Sequence, residues 1–129
     1  MTKIIFHILN IIFIILYIYP GSLLGFLIYK DISKQPRLSA DFFPSLFSIS
    51  SNHVYAFILF SSIGLISYFK SLKVIILYLI LSSISLELLH LFIPNRSFQF
   101  SDLFGNMLGV IVPFIINTLY KFRKKNEHI

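Results

Sequence analysis

The stretch VIILYLILSSISLELLHLFI, residues 74–93, decides the fold class. Apolar side chains dominate it, and a helix of about 20 such residues crosses the roughly 30 Å hydrocarbon core of a bilayer. The stretch lacks the alternation of apolar and polar residues that is typical of a membrane β-strand. A helix also satisfies its own backbone hydrogen bonds in lipid. The stretch therefore predicts a transmembrane helix.

Three further apolar runs accompany it, at residues 4–29, 53–69 and 102–120. Of the 129 residues, 57% are hydrophobic and only 12% are charged, which is more apolar surface than a soluble domain of this size can bury. The sequence predicts an all-α integral membrane bundle of four transmembrane helices, in a single domain over residues 1–129. Pro20-Gly21 interrupts the first run and predicts either a kink or the end of a span. That run is too long for a signal peptide and lacks a clean cleavage site.

The net charge of +6 is concentrated at the edges of the apolar runs, where basic side chains orient helices and meet anionic lipid headgroups. This placement indicates membrane lipids as partners, and no nucleic acid. With the N-terminus inside, seven Lys and Arg residues fall on the inner side and four on the outer side, which predicts that both termini and a basic tail, residues 121–129, are cytoplasmic. The absence of cysteine excludes thiolate catalysis and cysteine-ligated metals.

The remaining polar residues are predicted to meet at the outer end of the bundle. Glu87 and His90 share one face near the end of the third helix, since residues three apart are neighbours. Helix four runs back from this end and begins with Asp102, and Asn106 lies one turn further along. His53 opens the second helix at the same level. With Arg96 in the connecting turn, these residues predict a single site.

Each of these residues also has a structural interpretation. Glu87 is deep enough to require a partner, and Arg96 is the obvious candidate for an ion pair that only joins helices three and four. Asp102 is well placed to cap helix four. Asn106 and Gly109 are typical of close helix packing in membranes. Tyr17 and other tyrosines near helix ends suggest an interfacial aromatic belt.

The pattern E-x-x-H, P-x-R, D-x-x-x-N-x-x-G resembles the VanZ-like family of small bacterial membrane proteins. The matching residues, with His53 as the earlier histidine of the family, are Glu87, Pro94, Arg96, Asp102, Asn106 and Gly109. His90 stands where the family usually has Gln. The resemblance implies a protein of the bacterial plasma membrane, associated with the cell envelope. Its founding member is linked to resistance to the glycopeptide teicoplanin.

The first hypothesis is that the protein binds or modifies a lipid-linked or anionic envelope component, or a glycopeptide-related ligand, at the outer leaflet. Arg96 would hold an anionic group, with Asp102 and Asn106 as further binding and orienting residues. Glu87, His90 and His53 are the candidate acid–base residues, although no nucleophile is evident and enzymatic activity stays open. No cofactor or resident metal is expected, and the oligomeric state is left undetermined.

Two alternatives remain. One is a non-catalytic accessory protein of an envelope complex, in which the polar residues only hold the helices together. The other, less favoured, is a metal-dependent membrane hydrolase, in which the Glu87-x-x-His90 spacing places two ligands on one face and His53 and Asp102 complete a zinc or iron set.

Overall fold

The protein is all-α over the residues that the computed structural model describes, 1–43 and 47–126. Its helices are α1 (Thr2–Ile18), α2 (Leu23–Tyr29), α3 (Ser51–Ser67), α4 (Leu72–Leu89) and α5 (Phe100–Asn126). Within those described ranges no strand forms, and the long connection between α2 and α3 contains one isolated β-bridge that joins Phe42 to Ile49. The prediction of an all-α fold is confirmed.

The first predicted helix, residues 4–29, is in fact two helices. α1 and α2 meet at an angle of 83° across the short segment that contains Pro20 and Gly21. Gly21 has a φ of +90°, a backbone conformation that glycine adopts without steric cost. Ser22 then caps α2, because its Oγ accepts a hydrogen bond from the Gly25 N–H at 2.9 Å. The Pro20-Gly21 turn therefore ends α1, and the Ser22 cap begins α2.

The other three predicted helices exist, with shifted ends. The prediction 53–69 corresponds to α3, and 74–93 corresponds to α4, which stops at Leu89 with His90 as its C-cap. Helix α5 was expected at 102–120 but continues through the basic residues to Asn126. The predicted tail is therefore helical up to Asn126, and its residues 127–129 lie outside the described part of the chain.

Two helices, α4 and α5, are long and apolar enough to cross a membrane, and the bent α1–α2 pair would make a third. Helix α3 is apolar but has only 17 residues. Large apolar side chains cover the outer faces of the bundle, as with Val74 at 70% and Ile116 at 62% exposure. An exposed apolar surface of this extent is typical of a membrane protein. Two or three spans therefore follow from helix length and composition, instead of the predicted four.

Aromatic side chains fill the core between α1 and α3. Phe60 stacks on Phe13 with ring centroids 4.7 Å apart and on Phe6 with centroids 5.2 Å apart. Phe57 meets Phe13 edge to face at 5.4 Å. The same core includes Tyr17 of α1 and Leu65 of α3, and the other helices add Ile75, Leu79, Leu86 and Val110.

Helix α5 packs directly against α3 through two glycines four residues apart. A Cβ atom on Gly105 would lie 2.7 Å from the Ser50 carbonyl oxygen and 2.9 Å from the Cβ of His53. On Gly109 it would lie 2.8 Å from the Val54 carbonyl oxygen. Small residues at this spacing let two membrane helices approach closely. The contact fixes the start of α3, and therefore His53, against the first turns of α5.

Candidate functional site: a buried polar cluster

The polar residues meet at one end of the bundle because four helices begin or end there. Helix α1 ends near Tyr17, α3 begins near His53, α4 ends near Glu87, and α5 begins near Asp102. Glu87 and Asn106 are fully buried, His90 is 2% exposed and His53 is 8% exposed. The predicted convergence of these residues on one level is what the structure shows.

Glu87 and His90 form the deepest pair of this cluster. The Nδ1 of His90 lies 3.3 Å from Oε1 of Glu87, and the Gln99 backbone N–H donates to the same oxygen at 3.0 Å. The Nε2–H of His90 donates to the Tyr17 carbonyl oxygen at 3.1 Å, and the two rings stack. A carbonyl only accepts, so Nε2 carries the proton of this hydrogen bond.

A second group of hydrogen bonds centres on Asn106. Its Nδ2 donates to the Ser83 carbonyl oxygen at 3.1 Å, which identifies Oδ1 as its acceptor atom. That oxygen accepts from the Tyr17 hydroxyl at 2.9 Å and lies 2.8 Å from Nδ1 of His53. These bonds connect residues of α1, α3, α4 and α5. Asn106 therefore serves as the point at which the four helices are joined.

Asp102 lies in the first turn of α5, where the helix dipole favours a carboxylate. Its Oδ2 atom lies 3.4 Å from Nε2 of His53, and both side chains are almost buried, at 13% and 10% exposure. A residue that only capped its helix would direct its carboxylate to backbone N–H groups. Capping alone therefore does not account for Asp102, which also faces the histidine of another helix.

Arg96 makes different contacts from those expected. Its Nη2 donates to the Leu16 carbonyl oxygen at 3.0 Å and its Nε to the Tyr19 carbonyl oxygen at 3.3 Å. The predicted ion pair between Glu87 and Arg96 is wrong: among the described residues, no ion pair joins them. Burial lowers the pKa of the Arg96 guanidinium from its ordinary value, but a group that starts so high stays protonated. Arg96 thus places a positive charge beside the end of α1.

Two cavities adjoin the cluster. The first, of about 460 Å³, is lined mainly by apolar side chains of α1, α2 and α3, including Phe13, Leu24 and Leu59. The second, of about 450 Å³, is lined mainly by polar residues of the connecting segments and by Asp102. The residues that line both cavities are Ser22, Gln35, His90 and Arg96. The two cavities are therefore neighbours, with a cation and an imidazole between them.

Two residues that build the site, Tyr17 and Gly105, were not predicted from the sequence. The sequence predicts Tyr17 in an interfacial belt, but its side chain is only 9% exposed and its hydroxyl donates to Asn106. Its spacing from Phe6 and Phe13, eleven and four residues, already indicates one buried helix face. Gly105, whose contact positions His53, forms a G-x-x-x-G motif with Gly109, which is a known packing signal.

Comparisons of this chain with protein-family models, with curated proteins and with solved structures give no significant match.

Proposed function

We propose that this protein is a VanZ-like, multi-pass membrane protein of the bacterial cell envelope that binds an amphiphile with an anionic headgroup at the outer leaflet. In this proposal α1, α3, α4 and α5 are four transmembrane helices, and α2 lies along the interface. The slight shortage of length in α1 and α3 would be met by local thinning of the bilayer. Both termini would then be cytoplasmic, as the distribution of Lys and Arg favours.

The observation that supports binding is the pair of neighbouring cavities. An apolar cavity of about 460 Å³ suits part of an acyl or polyprenyl chain, and a polar cavity of about 450 Å³ suits a headgroup. The bond between the headgroup and the hydrocarbon chain of such an amphiphile would lie beside Arg96, because Arg96 lines both cavities. The Nη1 of Arg96 makes no hydrogen bond to any described residue, so it is available to a phosphate or carboxylate.

The direct test is lipid binding by purified protein in mild detergent. Native mass spectrometry would compare wild type with Arg96→Gln in the presence of an anionic lipid, such as phosphatidylglycerol, and of zwitterionic phosphatidylcholine. We expect wild type to retain the anionic lipid preferentially and Arg96→Gln to lose that preference. Arg123→Gln, near the far end of α5, is the matched control because it removes the same charge outside the cluster. Equal retention of both lipids by wild type would contradict the proposal.

The link to glycopeptides is tested in cells that make the wild type, Glu87→Ala or neither protein, at matched membrane levels. If the site acts on an envelope component, then wild type alone should change the envelope lipid profile or the susceptibility to teicoplanin. Identical behaviour of wild type and Glu87→Ala would argue against an outer-leaflet activity that depends on this carboxylate.

A second candidate is a non-catalytic accessory role. It is favoured by the hydrogen bonds of Asn106, which join α1, α3 and α4 to α5. In that case Glu87→Ala should lower the abundance of the protein in the membrane. Normal abundance together with lost function would instead favour the ligand-binding site.

A further inference from the structure

Three potential ligand atoms of the cluster lie unusually close together. His53, Glu87 and Asp102 each offer one atom, and these three atoms all lie within 4.8 Å of one another. The residues come from three different helices: the first turn of α3, the last turn of α4 and the first turn of α5. These atoms are brought together by the packing of the three helices and not by a single sequence motif.

The orientation of His53 leaves one ring nitrogen available for a ligand. The Nδ1 of His53 lies 2.8 Å from Oδ1 of Asn106 and 2.9 Å from the Tyr17 hydroxyl. The hydroxyl proton is donated to Oδ1, which only accepts, so Nδ1 carries the proton of its own hydrogen bond. In the neutral imidazole, Nε2 then has a free lone pair, and it faces the carboxylate of Asp102 at 3.4 Å. Metal-binding histidines have this arrangement, in which the other ring nitrogen donates to a neighbouring acceptor.

Glu87 supplies an independent observation. Its Oε1 accepts from the Gln99 N–H and lies 3.3 Å from Nδ1 of His90, but its Oε2 has no hydrogen-bond partner among the described residues, although the side chain is fully buried. A buried carboxylate oxygen without a donor is strongly unfavourable. A ligand oxygen of Asp102 lies within 4.8 Å of one of Glu87. A cation bound between the two carboxylates would satisfy the free oxygen of Glu87.

We propose that His53, Glu87 and Asp102 bind a divalent cation of the first transition series, represented by Zn²⁺. One imidazole nitrogen favours such a cation over Mg²⁺ or Ca²⁺, which prefer oxygen ligands alone. Ligand atoms of tetrahedral zinc lie roughly 3.4 Å apart, and Nε2 of His53 and Oδ2 of Asp102 already have this separation. Asp102 also lines the polar cavity, which gives the cation a route from solvent and an open position for water or a ligand oxygen.

This ligand set differs from the one that the sequence suggested. His90 was expected to bind together with Glu87, but both of its nitrogens are engaged, one with Oε1 of Glu87 and the other with the Tyr17 carbonyl. His90 is therefore a positioning residue that orients the Glu87 carboxylate. The cation site rests on different observations from the proposed amphiphile, and either can fail without the other.

Metal binding by the purified full-length chain tests the proposal. The protein in detergent would be stripped with a chelator, titrated with Zn²⁺ against a chromogenic competitor, and analysed for bound metal after gel filtration. We expect one Zn²⁺ per wild-type chain and a loss of affinity of at least about tenfold in His53→Gln and in Asp102→Asn, since loss of even a second-shell partner has an effect of this size. Zn²⁺ should also raise the unfolding temperature of wild type.

His7→Gln is the control, because it removes a histidine that bonds to Tyr68 at the other end of α3. It should bind Zn²⁺ like wild type. X-ray absorption of the zinc-loaded wild type gives a readout that does not depend on the folding of any variant, and it should show one imidazole with oxygen ligands. No stoichiometric binding by wild type, unchanged affinity in both cluster variants, or an absorption spectrum without imidazole would overturn the proposal.

Discussion

The hydroxyl of Tyr17 donates a 2.9 Å hydrogen bond to Oδ1 of Asn106, a residue 89 positions further along the chain. The bond joins the end of α1 to α5 at the level of the buried cluster. It also leaves Oδ1 able to accept from His53, so the same amide fixes the orientation of that ring. Helix association and site geometry therefore depend on the same few atoms.

Tyr17→Phe should destabilise the bundle by about 1 kcal/mol, because it removes this buried interhelical hydrogen bond and keeps the ring. Unfolding in detergent, followed by circular dichroism against increasing sodium dodecyl sulfate, would measure the difference. Tyr78→Phe removes a hydroxyl from a tyrosine that is 36% exposed, and it should be nearly neutral. Equal stability of both variants would show that the Tyr17 hydroxyl does not hold the helices together.

Gly109→Ala should destabilise the protein by about 1–3 kcal/mol, the usual range for overpacking a tight contact. The new methyl group would lie 2.8 Å from the Val54 carbonyl oxygen, so α3 and α5 would have to move apart. The same unfolding assay applies. Thr118→Ala, at an exposed position of the same helix, should change stability little. If Gly109→Ala is equally mild, the close approach of the two helices is not required.

Gly21→Ala should weaken the elbow between α1 and α2 by about 1–2 kcal/mol, since the φ of +90° is strained for a residue with a side chain. The added Cβ would also lie 2.6 Å from a side-chain atom of Ile32. Limited proteolysis of the α1–α2 region, compared with wild type, should then be faster. Unchanged protection would mean that the elbow tolerates the strain.

The topology is testable because the chain contains no native cysteine. A single Cys at exposed Ser97 should react with an impermeant thiol reagent in intact cells, whereas a single Cys at Asn126 should react only after the membrane is opened. This result follows from the seven-to-four distribution of Lys and Arg. The reverse labelling pattern would place the polar cluster on the cytoplasmic side.

Apolar runs predicted where the helices lie, because hydrophobicity is a local property of the chain. They did not predict the helix ends: the first run divides into α1 and α2, and α5 continues to Asn126. The convergence of Glu87, His90, Asp102 and His53 was also predictable, since antiparallel helices place alternate ends together. The hydrogen-bond acceptors of Arg96 were not predictable from the sequence. Its acceptors, Leu16 and Tyr19, are about 80 residues away in the chain and become available only because α1 ends at the elbow. The buried position of Tyr17 depends in the same way on how α1 is rotated against the other helices.

The contacts at the end of α1 have a consequence for depth in the bilayer. A helix normally has to end at the membrane surface, where water satisfies its last carbonyl groups. Here the side chains of Arg96 and His90 replace water, because they donate hydrogen bonds to the carbonyl groups of Leu16, Tyr17 and Tyr19. Helix α1, which is about 25 Å long by its 17 residues, can therefore stop short of the headgroups without exposing free carbonyls to lipid. We expect the polar cavity next to the end of α1 to lie deeper than the surrounding membrane surface.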